Sequence, residues 1–127
     1  MNLFVCFRSI DDYEGIIVIN RLKNKSQNSL VVLEETDRNP KWKKNVSVKF
    51  SISHFVVFLL GNNTFESKHI NWEFKKAENL NKYIIGIKLN GVTEESLLRF
   101  KKYKVFDNAE ESLEYMLTLR EVHTICI

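Results

Sequence analysis

Glu73 is the residue whose chemistry disagrees most with its neighbours. Ile70, Phe74 and Ala77 recur at i, i+4 and i+7, the spacing of one apolar helix face. At about 100° per residue, Glu73 projects beside them. A carboxylate in an apolar stripe is costly unless it is paired or lines a cleft. Periodicity alone favours the plainer reading, a Glu at the edge of the stripe reaching solvent or pairing with Lys76 or an arginine. The other reading is a carboxylate facing a cleft, where a low effective dielectric would strengthen its hold on a developing positive charge. Trp72 projects roughly opposite, toward solvent or a partner, and an exposed Trp also suits a homo-oligomer contact.

A second polar group follows the first apolar run: Arg8, Ser9, Asp11 and Asp12. It is too acidic for a phosphate loop of the flavodoxin kind. A phosphate-accepting receiver would need an Asp at the end of the third run, where Gly61 and Asn62 stand instead. No GxGxxG, GxxxxGK[ST] or GxSxG occurs, which removes dinucleotide-fold, P-loop and hydrolase-elbow chemistry. His54, His69 and His123 show no metal-ligand spacing, and no metal is expected. Cys6 and Cys126 form no CxxC, and Cys6 sits in an apolar run as a buried thiol.

These groups must be positioned by the elements around them. Five apolar runs punctuate the chain: Leu3–Phe7, Leu30–Leu33, Phe55–Leu60, Tyr83–Leu89 and Lys104–Phe106. The middle runs are rich in Val, Ile and Phe with little polar alternation, as strands covered on both faces are. Each gap is long enough for the helix that parallel strands need to return. Asn39-Pro40 predicts a helix start, with Trp42, Val46, Phe50 and Ser53 following at helical spacing. Asn108 with Glu111 predicts another, carrying Leu113, Met116 and Leu117. Tyr13–Lys25 contains Gly15-Ile-Ile-Val-Ile, of strand propensity, yet must be the helix that links strands one and two. The residues from Val122 onward are left as a short edge strand or a tail.

The alternation predicts an α/β three-layer sandwich of flavodoxin-like strand order 2-1-3-4-5. Strands one and three are then neighbours whose chains leave in opposite directions, and ligands bind such folds in the crevice at that point. Its expected lining is Arg8, Ser9, Asp11 and Asp12, then Thr36-Asp37-Arg38, then Gly61 to Ser67.

The 127 residues fit a single domain, and 44% hydrophobic with 28% charged residues is ordinary for a globular chain. Four Gly and one Pro are too few for an all-β chain of tight turns. The net charge of +3 comes from lysine groups scattered among acidic residues (Lys41-Trp42-Lys43-Lys44, Lys75-Lys76, Lys101-Lys102), so no nucleic-acid partner is expected. The longest apolar run, Phe55–Leu60, is far short of the roughly 20 residues that span a bilayer. With no secretory signal at the start, a cytoplasmic protein without a membrane partner is expected.

Several stretches together resemble the TIR-like domains of bacteria, and in particular the small TIR-like proteins of Thoeris-type antiphage systems. They are Phe4-Val5-Cys6-Phe7-Arg8-Ser9 with Asp11-Asp12, Ser53 to Gly61, Thr64, Ser67, Ile70-Asn71-Trp72-Glu73-Phe74 with Ala77, and Lys82 to Ile87. The resemblance covers about residues 3–90; position 69 is His where the family commonly has an aromatic. It implies an enzyme that cleaves the nicotinamide–ribose bond of NAD and releases a cyclic or modified ADP-ribose signal. NAD is then substrate rather than cofactor, and a separate effector reads the signal. The resemblance implies Glu73 as the catalytic residue. It gives substrate-binding roles to Arg8 and Ser9 at the pyrophosphate or ribose, with Asp11 and Asp37 beside them. Phe7 or Trp72 would offer a stacking face, and Thr64 a hydrogen bond. Ser67 reads as a helix cap. Many TIR domains only bind other proteins, so a non-catalytic interaction module is the alternative.

Overall fold

The computed structural model describes residues 1–26, 31–33 and 40–125. Five parallel strands form one sheet: β1 (Asn2–Cys6), β2 (Val31–Leu33), β3 (Phe55–Leu60), β4 (Tyr83–Lys88) and β5 (Lys104–Phe106). Their order is β2-β1-β3-β4-β5, the expected α/β arrangement. Every residue of β3 is buried, because helices cover both faces of the sheet at its centre.

The helices are α1 (Asp12–Lys25), α2 (Trp42–Ser51), α3 (Lys68–Asn79), α4 (Glu94–Arg99) and α5 (Ala109–Ile125). On one face α1 and α5 pack over Leu3, Val5, Val57, Leu59, Ile85 and Ile87. On the other, α2 and α3 pack over Phe4, Cys6, Val56, Phe58 and Ile84, joined by Phe100 from the end of α4. Successive β1 side chains therefore alternate between two cores, Phe4 and Cys6 toward α3, Leu3 and Val5 toward α1.

Tyr13–Lys25 is helical in spite of its β-branched residues: Val18, Ile19 and Leu22 supply a buried stripe, and tertiary packing outweighs local propensity. Gly15 lets this helix lie on Phe7, whose ring would stand 2.9 Å from a Cβ there. Two local expectations are corrected, and one helix is added. The helix expected from Asn39-Pro40 begins at Trp42, with Pro40 in a turn; Asn39 lies outside the described residues. Val122 to Ile125 are not an edge strand, because α5 continues to Ile125; the last two residues lie outside the described residues. The short α4 carries no apolar stripe of its own and went unmarked; only Ser96 of it is buried.

Candidate functional site

The crevice lies at the C-terminal edge of β1 and β3, whose chains depart to opposite faces. β1 ends at Cys6 and runs through Phe7 and Arg8 into a 3-10 turn, Ser9–Asp11. β3 ends at Leu60 and runs through Gly61 and Asn62 into a second 3-10 turn, Thr64–Glu66, before α3. Arg8 clasps the two segments together: its Nη1 donates to the carbonyls of Asn62 (3.1 Å) and Asn63 (2.9 Å). Asn63 adopts a left-handed backbone (φ 51°), which asparagine tolerates better than most residues.

Behind the crevice, α4 supports the β3 turn from below. The Gly61 N–H donates to Thr64 Oγ1 at 2.7 Å, and the Ser96 hydroxyl donates to the Gly61 carbonyl at 2.9 Å. The Thr64 N–H donates to Ser96 Oγ at 3.0 Å, and the Asn63 N–H to Thr93 Oγ1 at 3.1 Å. Thr64 is fully buried in this network, where it braces the turn. Thr93 and Ser96 escaped the sequence reading; the Thr-x-x-Ser spacing at a helix start was their only signal.

Asp11 presses against the same turn. Its Oδ2 is buried and meets no hydrogen-bond donor among the described residues. Burial and then the Glu14 carboxylate push the Asp11 carboxyl above the usual range; Arg8 opposes the shift and Asp12 adds to it. Glu14 Oε2 accepts from the Asn90 N–H at 2.9 Å, tying the segment after β4 to the start of α1.

Each residue of the Ile70-Asn71-Trp72-Glu73 run has a separate task. The helix starts on Ser67, whose hydroxyl accepts from the Ile70 N–H at 3.2 Å, the expected cap. Ile70 is buried in the core below α3. Asn71 donates its amide to the carbonyls of Phe65 and Ser67 (2.8 Å to Ser67) and accepts from Arg99 at 3.0 Å. Trp72 is half-buried rather than solvent-facing: it meets Trp42 edge-on at 5.0 Å. Glu73 is 3% exposed. It does not lie at the edge of the stripe but within it, buried with Ile70, Phe74 and Ala77.

Glu73 meets Cys6 across the gap between α3 and β1. Burial, followed by the Glu73 carboxylate as charge and as hydrogen-bond acceptor, pushes the Cys6 thiol well above the usual thiol range. Cys6 is therefore a protonated, buried thiol on the α3 side of the sheet. Nearby, Trp42 stacks on His69 at 3.6 Å and 20°, and His69 stands one helical turn before Glu73. Lys43 Nζ lies 5.7 Å from both tryptophan rings.

Residues 4–94 match a family described as the Thoeris protein ThsB, TIR-like domain. The chain belongs to this family. The match runs from β1 to the first residue of α4 and so contains the crevice, the clasp and Glu73. Membership gives the chain a role in Thoeris antiphage defence, a setting in which a ThsB TIR-like protein works with a separate effector. Among curated proteins, none matches the chain.

Within this ThsB-type domain the expected site residues divide. Arg8, Asp11 and Thr64 converge on the β3 turn, and Ser9 is exposed at the start of the first 3-10 turn. Phe7 packs on Gly15 of α1, with the core on the face opposite Glu73. Trp72 adjoins Glu73 in sequence but turns toward α2. Asp37, with Thr36 and Arg38, lies outside the described residues, as does Cys126. Among the described residues no group of three or more His, Cys, Asp or Glu is placed to hold a metal, and no helix is long and apolar enough to cross a membrane.

Proposed function

We propose that the chain cleaves NAD at its nicotinamide–ribose bond and releases a cyclic or modified ADP-ribose that a separate Thoeris effector reads. The observation that carries this reading is the burial of Glu73 inside an apolar stripe at the crevice end of β1. A carboxylate is costly there. It is also best placed there to act on a cationic transition state, because its field is not spent on water.

In the reaction the bond from ribose C1′ to the pyridinium nitrogen breaks, and its electron pair leaves with neutral nicotinamide. Positive charge develops along C1′ and the ring oxygen, as in glycoside hydrolysis. Glu73 holds the ribose hydroxyls and stabilises that charge. Attack at C1′ by water, with loss of a proton, gives ADP-ribose; attack by a nucleophile of the same ADP-ribose gives a cyclic product. At 3% exposure Glu73 has to be uncovered before a ribose reaches it, which suits an enzyme silent until infection triggers it.

The test is nicotinamide release from NAD by the purified protein, with and without components of phage-infected cells, followed by chromatography. Release that appears with those components and is lost in Glu73→Gln supports the reading. Release that persists unchanged in Glu73→Gln refutes the role of Glu73. No release under any infected condition favours the interaction module instead.

A further inference from the structure

The outer face of α1 is apolar where a helix lying over a sheet ordinarily carries charge. Gly15, Val18, Ile19 and Leu22 of this helix are buried. At about 100° per residue, Tyr13, Ile17, Asn20 and Asn24 fall on the opposite side, spaced i, i+4, i+7 and i+11. All four are exposed and none is charged. Ile10, in the 3-10 turn ahead of the helix, continues the same spacing, and Ile16 lies beside the stripe. Exposure is 75% at Ile10, 81% at Tyr13, 55% at Ile16 and 41% at Ile17. These four side chains leave roughly 500 Å² of mostly apolar surface in water, toward the upper end of the largest patch on an ordinary monomer. The charges of α1 stand at its flanks and ends, with Asp12 and Glu14 in the first turn and Lys23 and Lys25 in the last.

We propose that this face joins two copies of the chain, with α1 packed antiparallel on α1 of the partner about a two-fold axis near Ile17. The charge pattern selects this occupant. A two-fold axis across the seam of antiparallel helices sets one flank of a helix against the same flank of its mate. Asp12 and Lys23 share a flank, about 20° from each other around the helix, and both are exposed. With the axis between Ile17 and Val18, Asp12 meets the partner's Lys23 and Lys23 meets the partner's Asp12. A parallel pairing would instead bring the two acidic first turns together and align the helix dipoles unfavourably. At the centre Ile16 and Ile17 meet their counterparts, and Tyr13 reaches toward the partner's Asn20, whose amide offers the phenol a hydrogen bond. Asn20 and Asn24 keep the seam free of charge, and amides in such a seam fix register at some expense of strength. The area agrees: two copies together cover about 1,000 Å², the lower limit of a specific interface, so the dimer is weak and depends on concentration. Ile10 sits between Ser9 and Asp11, so the interface begins at the lip of the crevice. Pairing holds from outside the segment that Arg8 clasps from within. It needs nothing from Glu73 and stands apart from NAD cleavage.

Sedimentation equilibrium of the full chain, from low to high micromolar concentration at physiological salt, tests this. A monomer–dimer equilibrium is expected, with the mass rising from 15.0 kDa toward twice that value. Ile17→Asp, at an exposed position, should stay folded by circular dichroism and weaken the dimer about a hundredfold, because the charge enters the seam twice. Tyr13→Ala, a milder change at the most exposed position, should weaken it about tenfold. Asp12→Lys and Lys23→Asp are each expected to weaken it about fivefold, and the double variant to return to the parent value. A chain that stays monomeric at every concentration overturns the proposal. So does a dimer of parent strength in both Ile17→Asp and Tyr13→Ala, since another face then makes it. Growth beyond the dimer overturns the two-fold closure, and a double charge variant no stronger than the singles overturns the antiparallel pairing.

Discussion

Asp11 holds its carboxylate against the Cα of Gly61, so close that a methyl group there would stand 2.8 Å from Oδ2 and 3.0 Å from Oδ1. The contact joins the segments that follow β1 and β3, and neither side yields easily. Gly61 is bonded through its N–H to Thr64 and through its carbonyl to Ser96, while the Asp11 N–H donates to the Arg8 carbonyl at 2.9 Å. Gly61→Ala is expected to destabilise the protein by about 1–3 kcal/mol, the usual range for forcing a methyl into a filled site. Asp11→Ala should remove the obstacle. In a double-mutant cycle read by urea unfolding, the pair should then cost clearly less than the sum of the singles. Additive losses would show that the methyl meets some other obstruction.

The same carboxylate carries a cost of its own. Its pKa in the folded protein is raised, so the native state binds the proton more tightly than the unfolded chain does. Stability associated with this group is thus greatest below the ordinary Asp pKa and falls as pH rises through the raised value. Asp11→Asn, which removes the charge, is expected to raise Tm at pH 7 by up to about 3 °C, with the gain vanishing in acid where the native side chain is protonated. Nicotinamide release by the triggered protein should fall in the same variant, because the charged group would be kept at a stability cost for its use in the crevice. A Tm that drops at pH 7 would refute the unfavourable burial of Asp11.

The sheet order was legible because each strand is a continuous Val-, Ile- or Phe-rich run whose neighbours leave room for a helix. Glu73 was legible for the opposite reason, as a charge that breaks a pattern. What periodicity could not decide was its depth, since an edge Glu paired with Lys76 and a buried Glu facing Cys6 share one helical wheel. The depth comes from Phe58 and Phe74, which draw α3 onto β3 at the centre of the sheet. Trp72 was misplaced for a related reason: a wheel shows the angle from the buried face but not that α2 brings Trp42 alongside. Thr93 and Ser96 were invisible because hydrogen bonds spanning about thirty residues leave no local pattern.

Trp42 and Trp72 are the two tryptophans of the chain, and they touch. Intrinsic fluorescence is therefore a direct report of α2 against α3, next to Glu73. Trp42→Ala removes the stack on His69 and the edge contact with Trp72 together. It should cost about 2 kcal/mol, less than for a fully buried Trp because this ring is half-exposed, and should change the emission of the remaining Trp72. Trp42→Phe should keep most of the stability by preserving a stacking face. If Trp42→Ala unfolds at the same urea concentration as the native protein, the cluster does not hold α2 onto α3.

A last prediction separates two groups that both resist ionisation in alkali. The Tyr103 hydroxyl donates to Glu78 Oε2 at 2.5 Å, fastening the approach to β5 onto the end of α3, with Lys102 Nζ 3.6 Å from the same oxygen. Burial and then Glu78 push the Tyr103 pKa from 10.0 to about 12. A raised folded pKa means that its contribution is complete below the unfolded value and is lost as pH rises from 10 through 12. Tyr103→Phe should therefore be less stable at pH 8 by about 0.5–1.5 kcal/mol, the net worth of one hydrogen bond. That deficit should shrink to nothing by pH 12. Cys6, with its own raised pKa, also makes the protein lose stability above the ordinary thiol range. Both proteins keep Cys6, so this loss cancels in the difference and the narrowing gap belongs to Tyr103. A gap that stays constant from pH 8 to 12 would show that the phenol contributes packing and not the bond to Glu78.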